Sequence, residues 1–174
     1  MNGGFQRIGK LIQIILVIQC FDLRGAHRGI PLNSRLILRH YDLSGHGDAT
    51  ALTRASPLVI QAFNDGWLPN SGLAYTTRQD DNVDIADRYW WPMTEAIGVF
   101  ADLQKLYKNP EFESLYRQTS AFAHSRLIYH VNGGWFRELD ISGQPLSKQF
   151  LGKPDIYHSV QATLFPLVPK FVAA

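Results

Sequence analysis

Charge and cysteine are both scarce in this sequence. Charged residues make up 18% of its 174 positions, and 17 Lys+Arg against 15 Asp+Glu leave a formal net charge of +2. The basic residues are scattered, not gathered into a stripe, so no nucleic-acid footprint is present. The single cysteine, Cys20, can close no internal disulfide and has no companions for a thiolate metal site. That usage fits a reducing compartment and a cytoplasmic protein. Six histidines occur, none in the HExxH or Cys-plus-His spacing of a zinc site. No glycine-rich loop links a strand to a helix, and no GxSxG elbow is present, so phosphate cradles and the α/β-hydrolase nucleophile lack support. Long apolar runs are missing too. The run Leu11 to Ile18 is shorter than the roughly 20 residues that cross a bilayer, and Val17 to Phe21 offers no small-residue cleavage site. It reads as a buried helix or strand, or as a targeting segment; no membrane partner is expected.

What remains is enough for one globular domain. Hydrophobic residues reach 45% and aromatics 12%, and a chain of this length falls within the usual size of one independent core. Stacked rings serve cores and also grip the apolar faces of sugars and flat ligands. From about Ser56 the punctuation is regular. Ser56-Pro57 predicts a helix start carrying Leu58, Val59, Ala62 and Phe63, ended by Gly66. Leu73 to Thr77 predicts a β-type run in a short hairpin with Val83 and Ile85. A helix is expected from near Trp91-Pro92 to Tyr107, with Ala96, Ile97, Val99, Phe100, Leu103 and Leu106 at helical spacing. Asn109-Pro110 starts another, expected to run to Gly133-Gly134 with Phe112, Leu115, Tyr116, Thr119, Phe122 and Leu127 on one face. Trp135 to Asp140 reads as a strand with a turn at Ser142-Gly143. Asp155 caps a last helix, or Pro154 is its first residue, and Pro166 and Pro169 limit its length. The fold expected is all-α, built as antiparallel helix pairs with short β hairpins at one end.

Chemistry-bearing residues crowd into three segments. Arg88 to Ala96 brings Trp90 and Trp91 together at a helix start, where neighbours lie about 100° apart, so one can pack while the other lines a mouth. Glu95 there reads either as a surface carboxylate held in the first turn by the helix dipole or as a site residue. Gly133 to Asp140 reads as a tight turn and edge strand, or as a sugar-facing wall. Gly152 to Thr163 carries His158 just after a cap, as a structural or a catalytic histidine.

In order, the three segments read Arg-x-Trp-Trp-Pro-x-x-Glu-Ala, Gly-x-Trp-Phe-x-Glu-Leu-Asp and Gly-Lys-Pro-Asp-Ile-Tyr-His-x-x-Gln-Ala-Thr-Leu. Together they resemble the C-terminal motifs of the N-acylglucosamine 2-epimerase superfamily. The resemblance is nearest to its bacterial aldose–ketose isomerases, which act on mannose or sulfoquinovose. Asp65-Gly66-Trp67 followed by Tyr75-Thr76-Thr77 is similar to the family pattern ahead of the tryptophan-rich helix, and the likeness extends from about Leu58 to Pro169. The resemblance implies an (α/α)6 barrel with a sugar site at one end, residues 58–174 forming its C-terminal part and residues 1–57 a poorly matched N-terminal segment.

The same resemblance implies proton transfer beside a sugar carbonyl through an ene-diol, with neither metal nor cofactor. Histidine suits that work because it titrates near working pH. His158 matches the family's C-terminal catalytic histidine, and Glu95 matches the acidic residue of the tryptophan-rich helix. Trp90, Trp91 and Trp135 would wall the sugar, Arg88 would hold a hydroxyl or orient Glu95, and Glu138 and His46 would join them in binding. The family pairs its C-terminal histidine with a second one in or beside the tryptophan-rich helix, a stretch that holds none here. Upstream, Gly45-His46 retains the family's Gly-His without the acidic-aromatic pair that follows it. Members are about twice as long, since twelve helices of about 12 residues exceed this chain. Three readings follow: a truncated remnant of doubtful activity, a protomer that self-associates to complete a barrel, or a sugar-binding or helical interaction module without turnover.

Overall fold

The computed structural model describes residues 49–69, 72–77, 82–148 and 151–168. The apolar run at Leu11 to Ile18, Cys20 and His46 lie outside the described residues. Among the described residues four α-helices dominate: α1 (Ala49–Gly66), α2 (Trp90–Tyr107), α3 (Pro110–Phe122) and α4 (Ile156–Leu167). Between α1 and α2 run β1 (Trp67–Leu68), β2 (Gly72–Leu73), β3 (Thr76–Thr77), β4 (Val83–Ile85) and β5 (Arg88–Tyr89). β6 (Glu138–Leu139) and β7 (Pro145–Leu146) lie between α3 and α4.

The first helix starts earlier than Ser56-Pro57 implies. α1 begins at Ala49 and carries Pro57 inside it. An interior proline costs about 3 kcal/mol, but Pro57 is exposed while Val59, Ala62 and Phe63 are buried, so packing of that stripe outweighs the lost backbone bond. The expected hairpin is present, with Thr76 opposite Ile85 and Thr77 opposite Val83. A second antiparallel pair, Trp67 opposite Leu73, precedes it.

α2 is the axis of the core. Trp90, Met93, Ala96, Ile97, Val99, Phe100 and Leu103 are buried along it, and α3 and α4 both pack against it. Lys108, with φ of 53°, closes α2 by donating its N–H to Gln104 O at 2.9 Å. Asn109 then caps α3, its side chain accepting from Glu111 N at 3.0 Å with Pro110 at the first helical position, as that residue pair predicts. α3 does not continue to Gly133-Gly134. It stops at Phe122 and passes into a π turn over Ala123–Leu127. The wider turn places Ala123 and Leu127, four residues apart, both in the core at 1% and 0% exposure. The glycine pair instead serves the following reversal, with φ of 73° and 88°.

The strand expected over Trp135 to Asp140 is reduced to β6, because Trp135 makes only an isolated bridge to Ile128. β6 is the middle of a three-stranded antiparallel sheet with β5 and β7. Arg88 lies opposite Leu139 and Tyr89 opposite Glu138, which ties the second motif to the head of α2. At the other end of the chain, Asp155 is the cap of α4 and Pro154 precedes the helix.

α2 and α4 meet where α2 has no side chain. A Cβ on Gly98 would lie 2.9 Å from Phe165 Cδ2 and 3.8 Å from Gln161 Nε2. Gly98→Ala is therefore expected to lower stability by about 1–2 kcal/mol through overpacking, although the same change in an open helix gains about 1 kcal/mol. Urea unfolding of the variant checks this; a gain in stability would mean that the helices part without cost.

Candidate functional site

The N-terminal turn of α4 presents His158 to α2. Asp155 Oδ1 accepts from the backbone N–H of His158 at 3.0 Å, the capping bond of the helix. The same carboxylate accepts from the ring Nδ1, at 2.8 Å to Oδ1 and 2.9 Å to Oδ2. A carboxylate only accepts, so this contact assigns the proton of the neutral ring to Nδ1 and leaves Nε2 as the basic nitrogen. Nε2 faces α2, 3.5 Å from Glu95 Oε1.

Glu95 is not a surface carboxylate. α2 starts at Trp90, so Glu95 stands in the second turn, beyond the reach of the first-turn dipole argument, and its exposure is 3%. Its Oε2 accepts from Gln161 Nε2 at 3.1 Å. Burial pushes its carboxyl up to about 7; Gln161 opposes the rise and the charge of Asp155 adds to it. Asp155 behaves oppositely. Burial acts to raise it, but the backbone N–H, ring and charge of His158 outweigh that and hold it below the ordinary carboxylate range. At neutral pH the site therefore holds an ionised carboxylate on one ring nitrogen and a carboxyl near its titration midpoint beside the other. A carboxyl that titrates near neutral pH, held beside a basic ring nitrogen, suits the proton exchange that acid/base work requires.

Aromatic rings enclose the imidazole. Trp90 lies 6.2 Å from it edge-on, Trp91 at 6.3 Å tilted, and Tyr157 at 5.0 Å edge-on. Trp90 is buried and Trp91 half-buried, so the adjacent tryptophans divide as the helical geometry implies, one in the core and one at the mouth. Tyr75 meets the Trp91 ring at 5.9 Å and the Tyr89 ring at 4.3 Å, carrying the wall onto the hairpin region. Burial, with the charges of Glu95 and Asp155, pushes the Tyr157 phenol up. The proton on its hydroxyl is thereby retained.

The remaining sequence candidates are distributed differently. Arg88 is 1% exposed, and its Nη1 donates to Ala86 O at 2.6 Å. Glu138 is 0% exposed and its carboxylate accepts from Lys148 N at 3.2 Å and 3.3 Å. Both sit on the β5–β6 pair under the head of α2. Trp135 bridges Ile128 and packs on the core, whereas the rings in contact with His158 are those of Trp90, Trp91 and Tyr157. His46 lies outside the described residues. Asp155 and Gln161 have direct roles that the motif reading did not give them. The signal was present as Asp-x-x-His-x-x-Gln, three residues apart along one face of a capped helix.

Among the described residues no group of three or more His, Cys, Asp or Glu could hold a metal ion, and no described helix is long and apolar enough to cross a membrane. Comparison with known proteins converges on one family. The model of the N-acylglucosamine 2-epimerase (GlcNAc 2-epimerase) family matches residues 33–162, beginning ahead of Leu58. D-mannose isomerase of Thermobifida fusca is 33% identical over 121 residues, which are 68% of this chain and 30% of that protein. D-mannose isomerase of Pseudomonas cannabina pv. alisalensis is 31% identical over 120 residues, 68% of this chain and 29% of that protein. A crystal structure of D-mannose isomerase superposes with a TM-score of 0.73 at 26% identity, over 82% of this chain and 37% of that one. Cellobiose 2-epimerase from Bacillus thermoamylovorans B4167 gives a TM-score of 0.67 at 21% identity over 81% of this chain and 37% of that one, a likeness of fold alone. The chain thus spans about 30% of the length of the curated relatives it matches. With its match covering most of the sequence and both mannose isomerases above 30% identity, the chain belongs to the N-acylglucosamine 2-epimerase family.

Proposed function

We propose that this chain carries the histidine-bearing part of a carbohydrate epimerase or isomerase site, with mannose and fructose as the first substrate pair to test. The observation that carries the reading is the contact of His158 with a buried Glu95 whose carboxyl is raised to about 7, beneath tryptophan rings. In the proposed reaction His158 Nε2 removes the proton from the carbon beside the sugar carbonyl. The carbonyl oxygen takes a proton from solvent and an ene-diol forms. His158 then returns its proton to the neighbouring carbon for isomerisation, or solvent protonates the opposite face of the same carbon for 2-epimerisation, and an ene-diol hydroxyl releases its proton to solvent as the carbonyl re-forms. Asp155 holds the tautomer, Glu95 balances the charge that His158 acquires, and Trp91 contacts the apolar face of the sugar. Arg88 and Glu138 support the head of α2 from below. No metal or cofactor enters the scheme.

The architecture that suits this role is one arc of an (α/α)6 ring, residues 58–174 being its C-terminal part. Ile156, Val160, Leu164 and Leu167 lie exposed along α4 at the spacing of one helix face. Further helices of the ring, from the same polypeptide or from a second copy, would cover them. The lone Cys20 fits a cytoplasmic enzyme.

Incubation of the purified protein with mannose, fructose and N-acetylmannosamine, followed by chromatographic separation of products, is expected to show interconversion of at least one. No turnover with any of the three removes the enzyme assignment for those sugars. Binding without turnover is the second reading. It is favoured because, among the described residues, no second histidine stands beside Glu95: His124 and His130 lie ring to ring 4.6 Å apart in the π-turn region. It predicts a sugar-dependent change in tryptophan fluorescence that survives His158→Asn; no change at all counts against both readings.

A further inference from the structure

Arg137 takes no part in the scheme above, yet it touches both halves of the site. Its Nη1 donates to Leu151 O and its Nη2 to Lys153 O. Those carbonyls flank Gly152, whose φ of 89° lies in the region that favours glycine. Two residues beyond Lys153 is Asp155, which caps α4 and holds the His158 ring. On its other side the Arg137 guanidinium lies 5.1 Å from the centroid of the Trp90 ring. The Arg137 carbonyl accepts from Trp90 N at 3.2 Å, so backbone and side chain both bind the first residue of α2, the helix that carries Glu95. Trp90 in turn meets the His158 ring edge-on. One residue therefore joins the strap ahead of α4 to the head of α2.

We infer that Arg137 is a positioning residue: by gripping the two carbonyls of the Leu151–Lys153 strap while seated on Trp90, it sets the placement of Asp155 and His158 against Glu95. The inference rests on the reading of His158 as the acid/base of the site, but not on which sugar is used. A planar guanidinium can serve two carbonyls and a ring face at once. An ammonium is a point charge on a flexible stem and cannot hold the same fork.

The test reads the tautomer of His158, which a merely stabilising contact would leave alone. In protein labelled with 15N-histidine, the ring nitrogen shifts of the neutral imidazole give the ratio of Nδ1–H to Nε2–H forms. The wild-type protein is expected to favour Nδ1–H. Arg137→Ala and Arg137→Lys are both expected to lower that ratio by about fivefold, the population change that follows from losing one hydrogen bond of ordinary net strength. Gly152→Ala tests the strap independently of the guanidinium. A Cβ there meets nothing within 4 Å, so its only penalty is the left-handed backbone, and it should shift the ratio in the same direction. Arg117→Ala removes an exposed ion pair with Glu113 on α3 and should leave the ratio unchanged. A lower thermal midpoint in the Arg137 variants with an unaltered ratio overturns the inference, as does an unaltered ratio in a folded Gly152→Ala protein should the Arg137 variants fail to fold. Because no turnover is measured, absence of sugar isomerisation would defeat the functional reading without deciding this one.

Discussion

Glu95→Gln is expected to stabilise the protein at pH 8 by on the order of 3 kcal/mol compared with its effect at pH 4. The carboxyl of Glu95 titrates at about 7 in the folded molecule, driven up first by burial, and at the ordinary 4.5 without that environment. Between those values the folded protein holds a proton that the unfolded chain has released. The stabilising contribution is thus fully present below 4.5 and is lost as pH rises through 7. Each unit of separation is worth about 1.4 kcal/mol. Glutamine has the same shape, retains an oxygen to accept from Gln161 Nε2, and does not ionise, so the variant removes the slope. Urea unfolding at pH 4, 6 and 8 checks it. A wild-type stability that is flat across that range, or a variant less stable than wild type at pH 8, would show that the carboxyl is not held high by burial.

A carboxyl that weakens the fold at neutral pH is not explained by packing. Only Gln161 and His158 come to it among the polar contacts described, and both belong to α4. Removing His158 or Gln161 would leave Glu95 more poorly solvated. The cost of keeping it is the kind that active sites carry and structural cores avoid.

Local elements of the fold were legible where short-range chemistry decides them. Asn109-Pro110 and Asp155 announce helix starts because a side-chain oxygen and a backbone N–H two or three residues on are enough to make the cap. Ser56-Pro57 carries the same signature and misleads: Val59 and Phe63 bury in the core cluster with residues of α2, and that gain lets the helix run through the proline from Ala49. The stop of α3 was hidden for a related reason. Its apolar spacing continues unbroken to Leu127, but the interior accommodates Ala123 and Leu127 together only through the π turn.

The site was legible in its motifs and not in its geometry. His158, Glu95, Trp90 and Trp91 follow from the resemblance and converge in space. The burial of Glu95 does not follow, because a single glutamate near a helix start is ordinarily solvated; only the docking of α4 across α2, at the gap left by Gly98, closes over it. Gln161 is invisible for the same reason, lying 66 residues from its partner. Trp135 also takes its place from contacts that its motif does not announce: it follows a glycine pair, bridges Ile128 and lies partly buried against the core.

On the proposed reading of the site, His158→Asn is expected to lower mannose–fructose interconversion by on the order of 10²–10⁴, the usual contribution of a positioned acid/base group. Asparagine keeps the capping bond, since Asp155 accepts from the backbone N–H of residue 158 whatever its side chain, and its amide can still donate to the same carboxylate. It cannot titrate, and it places no basic nitrogen toward Glu95. Stability should therefore change by less than about 1 kcal/mol, and the tryptophan fluorescence response to sugar should persist because Trp90 and Trp91 remain in place. The pH dependence separates His158 from its neighbour. Glu95→Gln retains the imidazole and should leave measurable turnover whose pH profile has lost a step near 7, whereas His158→Asn should leave none to profile. A His158→Asn protein that retains more than about a tenth of wild-type turnover would assign the proton transfer to another group. Glu95, already carrying an exchangeable proton beside the ring, would be the first to examine.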